Sequence, residues 1–341
     1  MIPRERVLAA LRGDEPDQVP YCEFGIDRAL AQRLMGWAGL PGQAADLERN
    51  PFSLPETLQI AERLRLDNIS YVLRAPVYAR KAAGQDGRLF YCEGLIRTEA
   101  DLPRLQLPDP GDEALYAGAA ALARRKGDYA ACLVTRLGLF PTMLSMGMEN
   151  FSLALFDNRD LVEAVLDRYC DWAAPVAERA GRLGFDVFVS TDDMAFKSGP
   201  FLSPGVFREV VWPRYRRIAE KLTIPWVVHS DGNVLPLLDD LLDLGIAGLH
   251  PVEKGAMNIR DLKRRYGRRL CLLGNVDLDI LARGTTDQVE QEVRALIRDV
   301  GPGGAYIVTS GNSLAGYVQP DNALALSRSV RKYGRYPLSR A

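Results

Sequence analysis

The sequence contains few of the side chains that most often carry acid–base and metal chemistry. Only two of its 341 residues are histidines, His229 and His250, and its five cysteines are scattered without CxxC spacing. An odd number of dispersed cysteines argues against a disulfide framework and is typical of a protein from a reducing cytoplasm. Four of the five lie in apolar or helical contexts, so we expect those thiols to be buried, and we expect function to depend on the two histidines.

A strong net charge and long apolar runs are also missing. The formal net charge is −1, which gives no electrostatic basis for binding nucleic acid or an anionic membrane surface. No segment reaches the roughly 18 apolar residues of a membrane span, and the first residues lack the apolar core of a signal peptide. These absences predict a cytoplasmic protein whose ligand is a small molecule.

The motifs of several common enzyme folds are absent, because there is no GxGxxG after a strand, no P-loop and no GxSxG. Short apolar strands instead alternate with helices along the whole chain. Eight strands are predicted, at residues 19–27, 67–76, 129–140, 185–195, 225–232, 246–253, 269–277 and 303–313. This count predicts an α/β fold, the (β/α)₈ TIM barrel, as a single domain over residues 1–341. An open doubly wound sheet is the alternative.

Two additions to the barrel are predicted. Residues 3–12 form a short N-terminal helix, which Gly13 ends. Residues 77–110 are rich in glycine, proline and charge, and they are predicted to form a β-hairpin-like insertion with an extended tail after the second strand.

Polar side chains follow almost every predicted strand, at the end where barrel enzymes carry their catalytic groups. They are Glu23, Arg74, Arg136, Asp192, Asp193, His229, Asp231, His250, Glu253, Asn275, Asp277 and Asn312. Some of them have a simpler interpretation: Asp231 precedes Gly-Asn as a turn former would, and Asp277 fits a helix N-cap. Both alternatives stay open at this stage.

The segment around His229 is the main functional hypothesis. Residues two apart in a strand share a side, so His229 and Asp231 are predicted to lie together. A carboxylate there can orient an imidazole, raise its pKa or join it in binding a metal. Asp192 and Asp193 point to opposite sides, and like charges held close would favour a general acid. His250 precedes a proline, which favours a structural role for it.

Two arginines at strand ends, Arg74 and Arg136, are predicted to bind an anionic group of the substrate, since a guanidinium matches a carboxylate. Internal salt bridges with the aspartates are the alternative. We add Glu23, Asn275, Asn312 and Tyr317 as further candidates for substrate binding.

Several segments together resemble the uroporphyrinogen decarboxylase superfamily. They are PRERVLAALRGDEPDQVP, SPGVFREVVWPRYRRI, HSDGNVLPLLDDLLDLG, LLGNVD, GTTDQVEQEVRALI and SGNSLAGYVQPDNALAL. The resemblance implies a (β/α)₈ barrel and one of two activities. One branch removes acetate carboxyls from uroporphyrinogen without a cofactor. The other transfers methyl groups to or from corrinoid proteins, and many of its members bind zinc through a His-x-Cys pair and a later cysteine.

The chain departs from both patterns. Gly25 stands near the first arginine of the decarboxylase's MRQAGR-like segment, with only Arg28 as a substitute, and Arg74 occupies the place of its catalytic aspartate. In the methyltransferase pattern Asp231 replaces one cysteine, and Asn312 replaces the later one. A zinc site with two thiolates cannot form. His229, Asp231 and Glu253 are instead a tentative ligand set for a harder divalent metal, or for zinc with carboxylates.

These departures favour a methyltransferase-like enzyme. It would demethylate a small, anionic O- or N-methylated substrate with a corrinoid protein as methyl acceptor, and His229 and Asp231 would act as acid or metal ligands. The alternatives are a decarboxylase of a pyrrole-type or other carboxylic acid and, third, a non-catalytic ligand-binding barrel. Monomer and homodimer are both open.

Overall fold

Seven parallel strands form the central sheet in the computed structural model, which describes residues 1–38, 50–84, 89–267 and 269–338. The strands of the described chain are β1 (Asn68–Val72), β2 (Ala79–Ala83), β3 (Leu89–Gly94), β4 (Ala130–Thr135), β5 (Val187–Thr191), β6 (Ala195–Phe196), β7 (Gly199–Pro200), β8 (Trp226–His229), β9 (Gly248–His250), β10 (Cys271–Leu273) and β11 (Tyr306–Ile307). The large sheet has the order β1-β4-β5-β8-β9-β10-β11. Sequential parallel neighbours of this kind confirm the predicted α/β class.

Helices connect these strands. Their bounds are α1 (Pro3–Leu11), α2 (Arg28–Met35), α3 (Leu54–Leu64), α4 (Ala117–Arg124), α5 (Leu139–Met146), α6 (Met148–Asp157), α7 (Arg159–Arg182), α8 (Pro204–Val206), α9 (Trp212–Ala219), α10 (Leu238–Asp243), α11 (Ile259–Tyr266), α12 (Leu278–Arg283), α13 (Thr286–Val300) and α14 (Pro320–Tyr333). A π-helical turn at Phe207–Val211 joins α8 to α9. It lies just before Pro213, whose missing N–H interrupts the regular helical bonding.

The predicted first strand, residues 19–27, does not form a regular strand. Only single bridges, at Tyr21 and Ile26, pair it with the chain after β11. The Cys22 N–H donates to the Val308 carbonyl at 3.0 Å, and the Asp67 N–H donates to the Tyr21 carbonyl at 2.7 Å. Pro20 has no N–H to offer, and the side chains of Asp67 and Asn68 take the N–H groups of Tyr21 and Glu23. The prediction of eight regular strands is therefore corrected to seven.

The insertion after β1 is a β-hairpin, as predicted. Strands β2 and β3 are antiparallel, with a register shift between Arg80 and Lys81. The predicted extended tail instead contains a 3₁₀ turn at Glu99–Arg104. Residues 85–88 of the insertion lie outside the described residues. Side chains of both strands reach the large cavity considered below.

Apolar side chains pack on both sides of the sheet. The inner cluster includes Cys132, Val189 and Cys271, and the N-terminal helix α1 adds Val7 and Leu11 to it. A larger cluster lies between the strands and the surrounding helices. Four of the cysteines are buried, all five are free, and burial raises the pKa of the Cys132 thiol to about 12. The prediction that four of the five thiols are buried is thus confirmed, and Cys92 is the exposed one.

The inner cluster leaves the carboxyl ends of the strands for polar side chains.

None of the helices in the described part of the chain has the length and apolar character needed to cross a membrane.

Candidate active site

A cavity of about 450 Å³ opens at the carboxyl ends of β1, β4, β5 and β8. The residues that line it combine acids, two arginines and aromatic rings, and they include Glu23, Phe24, Phe52, Arg74, Phe90, Arg136, Phe140, Thr191, Asp193, His229, Asp231 and Asn312. The volume suits a small organic molecule, and charged groups in an apolar cavity are typical of binding and catalytic sites.

Three acid and base groups meet at the end of β8. The Nε2 atom of His229 lies 3.8 Å from Asp193 Oδ1 and 4.0 Å from Asp231 Oδ1. Strand alternation puts His229 and Asp231 on one side, as predicted. Asp193 follows β5, which is the neighbour of β8, and the two strands pair Thr191 with His229. Adjacent parallel strands therefore deliver the three groups to one place.

Asp231 has hydrogen-bonding capacity left over. Its Oδ2 accepts a bond of 2.6 Å from Asn312 Nδ2, and its own N–H donates to Asp193 Oδ1 at 3.0 Å. Its Oδ1 is buried and has no hydrogen-bond partner among the described residues. Burial, and then the nearby charges of Asp193 and Glu253, raise the pKa of Asp231 to about 7. The carboxyl can therefore carry a proton near neutral pH.

The turn after β8 depends on a glycine. Gly232 has φ +81°, and a Cβ atom there would meet the Ala195 carbonyl oxygen at 2.2 Å. Its N–H donates to Glu253 Oε2 at 2.7 Å. Gly232 thus lets the backbone pass close to β6, and this path brings Asp231 to the cavity. The residue that forms the turn is Gly232, the neighbour of Asp231.

His250 is in direct contact with His229. The two Nδ1 atoms lie 2.6 Å apart, and the rings are tilted by 32° with centroids 4.8 Å apart. Burial lowers the pKa of His229; the Asp193 carboxylate acts against this shift, and the Arg74 guanidinium adds to it. Burial also lowers the pKa of His250 well below its usual value. The proline after His250 led the sequence analysis to favour a structural role, although histidines at the ends of two consecutive strands could have indicated this contact.

The neighbours Asp192 and Asp193 are separated as the strand geometry predicts. Asp193 faces the cavity, whereas Asp192 is fully buried outside its lining. The carboxylate of Asp192 accepts the N–H groups of Leu137, Gly138 and Phe140 at 2.5, 3.2 and 3.1 Å. Burial raises its pKa, and these bonds oppose the rise. The structure therefore places the predicted acid Asp192 at the start of α5 and not in the cavity.

Both predicted anion-binding arginines line the cavity. Arg74 Nη2 donates to Thr191 Oγ1 at 3.0 Å, and that hydroxyl donates to the Thr135 carbonyl at 2.9 Å. The Arg136 guanidinium lies 5.4 Å from the centre of the Phe140 ring. Their charges act on His229, whose pKa they lower. Thr191, which the sequence analysis missed, orients Arg74.

Glu23 also lines the cavity, in a buried position. Its Oε1 accepts the Ser310 N–H at 2.9 Å and its Oε2 accepts the Ser310 hydroxyl at 2.7 Å. Burial raises the pKa of Glu23 to about 8, against the lowering effect of these bonds. Ser310 was not among the predicted site residues.

Three further predicted site residues, besides Asp192, do not line the cavity. Asn275 is buried beside a second pocket and donates to the Val252 carbonyl at 2.6 Å. Tyr317 is 43% exposed and does not line the cavity. Glu253 holds the Gly232 N–H and lies 3.3 Å from Lys197 Nζ. The structure thus brings Asp193 to His229 and Asp231, in the place where the sequence analysis put Glu253.

These three residues could hold a divalent metal. Asp193, His229 and Asp231 each offer one ligand atom, and these atoms lie within 4.8 Å of one another. The unpartnered Oδ1 of Asp231 is a ready acceptor for a cation. One imidazole and two carboxylates form a nitrogen–oxygen set, which suits zinc or a harder metal and differs from a thiolate site.

Sequence and structure comparisons give one consistent result. The family model described as "Uroporphyrinogen decarboxylase (URO-D)" matches residues 2–333. The uroporphyrinogen decarboxylase of Alkalilimnicola ehrlichii is 25% identical, over 97% of this chain and 94% of that protein. The methylcobamide:CoM methyltransferase MtaA of Methanosarcina barkeri is 27% identical over 175 residues, which cover 51% of this chain and 50% of that one.

Among solved structures, a methyltransferase from Methanosarcina mazei superimposes with a TM-score of 0.77 at 21% identity, over 98% of this chain and 99% of that one. At this level of identity the similarity supports the fold and not the reaction.

Proposed function

The chain belongs to the uroporphyrinogen decarboxylase family, and from this membership we propose that it is a methyltransferase. Its substrate is a small anionic molecule with a methylated oxygen or nitrogen, and a corrinoid protein accepts the methyl group. The observation that carries the proposal is the placement of Asp193, His229 and Asp231 in one cavity with Arg74 and Arg136. The similarity to a protein named for methylcobamide supports the choice of acceptor.

The chemistry explains why an acid is needed. The bond between the methyl carbon and the heteroatom breaks, and its electron pair stays on the heteroatom while the carbon bonds to the acceptor. An alkoxide or amide anion leaves poorly, so a proton must arrive as the bond breaks. Asp231, with its pKa raised to about 7, is the group that can deliver it, and the neighbouring His229 can donate a hydrogen bond to the same heteroatom.

Arg74 and Arg136 give the substrate its orientation. Thr191 fixes the guanidinium of Arg74, and Phe140 lies against that of Arg136. A carboxylate bound there would leave the rest of the substrate among the aromatic rings of the cavity, facing Asp231. Fixed positions of this kind lower the entropic cost of reaching the reactive geometry.

A divalent metal is the other possible source of positive charge. Asp193, His229 and Asp231 would hold it, and it would polarise the leaving heteroatom when bound. The donor set fits zinc or a harder cation, as argued above.

A decarboxylase is the second candidate, because the similarity to a uroporphyrinogen decarboxylase covers nearly the whole chain. The two cavity arginines would then hold carboxylates. Arg28, the only arginine near the decarboxylase's arginine-rich segment, bonds to the Pro51 carbonyl and Glu56 and does not line the cavity. The loss of that gripping segment makes methyl transfer the better proposal.

We also propose that residues 19–23 occupy the position of the eighth strand and so complete a TIM barrel. Their backbone bonds to Val308, after β11, and to Asp67, before β1, span the two edges of the seven-stranded sheet.

A methyl-transfer assay with free reduced cobalamin tests the function. The purified chain is incubated with carboxylates that carry O- or N-methyl groups, before and after treatment with a chelator and after addition of Zn²⁺ or Mn²⁺. Formation of methylcobalamin is followed by absorbance. We expect turnover of at least one substrate and a loss of about 100-fold or more in His229→Ala and Asp231→Ala. The matched control is Glu220→Gln, an exposed change at the residue that follows α9.

Carbon dioxide release from uroporphyrinogen at a catalytic rate would overturn the methyltransferase proposal. Full turnover by both cavity variants would overturn the role given to His229 and Asp231, whichever reaction is found.

A further inference from the structure

The two histidines of the chain form a pair across neighbouring strands. Strands β8 and β9 are parallel and place His229 opposite His250. The Ser230 N–H donates to the His250 carbonyl at 3.0 Å, which fixes the strand ends side by side. The Nδ1 atoms then lie 2.6 Å apart, a distance that requires one shared hydrogen between them.

Both rings are held in the neutral form by their surroundings. His250 is fully buried, and the Phe24 ring lies edge-on against it with centroids 5.0 Å apart. Full burial disfavours a charged ring at His250, and the guanidinium groups of Arg74 and Arg136, which line the same cavity as His229, disfavour a positive charge there. Each neutral ring carries one N–H. The hydrogen between the rings therefore belongs to one of them alone.

The other nitrogen of His250 decides which ring carries it. His250 Nε2 is buried and has no hydrogen-bond partner among the described residues. An unpaired buried N–H is disfavoured more strongly than an unpaired acceptor. The favoured arrangement leaves Nε2 of His250 without hydrogen, so its Nδ1 bears the hydrogen.

We propose that His250 is a positioning residue that donates its Nδ1–H to Nδ1 of His229. The donation keeps the hydrogen of His229 on Nε2, the nitrogen that faces Asp193 and Asp231. The inference deepens the proposed function and rests on it for its catalytic meaning. It prepares His229 to donate a hydrogen bond from Nε2 to the leaving heteroatom, which Asp231 protonates, and it opposes the use of Nε2 as a metal ligand in the free protein.

The consequence for metal binding follows from the same bond. A metal on His229 Nε2 needs a lone pair there, so the ring hydrogen would have to sit on Nδ1 and be donated to His250. His250 would then carry its own hydrogen on Nε2, where it finds no partner. The pair therefore favours an N–H donor over a metal ligand at Nε2 of His229.

Nitrogen-15 NMR of the full chain tests the arrangement directly, because two histidines give a spectrum with only two rings. The protein is labelled with [¹⁵N]histidine, freed of metal and recorded at pH 7.5 through long-range ¹H–¹⁵N correlations. His229→Gln assigns the His250 signals. We expect hydrogen on Nε2 of His229 and on Nδ1 of His250, in an excess of about tenfold or more over the reverse arrangement. Hydrogen on Nδ1 of His229 would overturn the proposal.

Two variants separate positioning from packing. His250→Asn retains an N–H donor near the position of Nδ1, whereas His250→Leu fills the site without a donor. We expect His229 to keep its Nε2–H in the asparagine variant and to distribute its hydrogen between both nitrogens in the leucine variant. An unchanged His229 spectrum in His250→Leu would show that His250 has only a packing role.

The last measurement records the same ¹⁵N spectrum after addition of equimolar Zn²⁺. We expect the His229 signals of the wild-type protein to be unchanged, and loss of the Nε2 hydrogen with a coordination shift would overturn the preference for the proton. None of these measurements needs a substrate. The predicted spectrum together with absent methyl transfer would therefore reject the proposed function and leave the histidine pair standing.

Discussion

Two groups of polar side chains occupy the same kind of place, the carboxyl end of a strand, and differ in what they bind. In the cavity group, Asp193, His229 and Asp231 face open volume, and Asp231 Oδ1 has no partner in the described chain. In the supporting group, Asp192 and Asp277 direct their carboxylates at backbone N–H groups. A strand-end carboxylate is available for chemistry when the neighbouring loops leave at least one of its oxygens unused.

The difference arises from the loops. After β4 the chain enters α5 directly, and the first N–H groups of that helix have no partner within it. Asp192 supplies the acceptor from the next strand. After β8 the chain turns at Gly232, whose N–H is taken by Glu253. The Asp231 carboxylate is therefore not needed as an acceptor for the Gly232 N–H.

Removal of the supporting acid should have the largest effect on stability. Asp192→Ala leaves three backbone N–H groups, two of them buried, without an acceptor, and we expect a loss of about 3 kcal/mol in the free energy of unfolding. Asp193→Ala removes a single bond from the Asp231 N–H and should cost about 1 kcal/mol. Chemical denaturation of both variants measures the two values.

Asp192→Asn is the isosteric control and should lose less than Asp192→Ala, because it keeps one acceptor oxygen. Equal losses in the alanine variants of Asp192 and Asp193 would remove the distinction between the supporting group and the cavity group.

A pH series on Glu23 tests the buried cavity carboxyl. Its pKa is raised from 4.5 to about 8, so the folded state holds this proton more tightly than the unfolded state. The resulting stabilisation is present in full below about pH 4.5, falls as pH rises and is lost above about pH 8. Glu23→Gln keeps an acceptor for the Ser310 N–H and cannot ionise. We expect its melting temperature to change less than that of the wild type between pH 5 and 9.

The matched variant for this series is Asp279→Asn, which replaces an exposed acid on α12. It should follow the wild-type curve. A wild-type melting temperature that rises from pH 5 to 9 relative to Glu23→Gln would contradict the raised pKa.

Much of the fold could be predicted from the sequence, because apolar strands such as VFVST at β5 and amphipathic helices such as α13 have clear periodicities. The hairpin after β1 could also be predicted from the sequence. The segment 19–27 was not, since its bonding is made by the side chains of Asp67 and Asn68, which local patterns do not reveal. Hydrogen bonds from distant side chains therefore make this one predicted strand irregular.

The site was predictable to the level of residue type and strand position. Strand alternation placed His229 beside Asp231 and set Asp193 apart from Asp192. The contact of His229 with His250 required knowledge of which strands are neighbours and in which register. The positions of Asn275 and Tyr317 outside the cavity depend on the paths of loops, and loop paths have no periodicity to be read.

An effect as small as that of Asp193→Ala is expected at Asp277, which belongs to the supporting group but caps only a short helix. Its Oδ1 accepts the N–H groups of Asp279 and Ile280 at 2.8 and 3.4 Å, and its Oδ2 lies 3.5 Å from Lys254 Nζ. These bonds are partly exposed, so water can replace them, and Asp277→Ala should cost about 1 kcal/mol of unfolding free energy. Asp277→Asn retains the cap and should recover most of this loss. Neither change should alter the ¹⁵N spectrum of His229, because Asp277 does not line the cavity; an altered spectrum would show that the supporting group and the cavity group are coupled through the β10 loop.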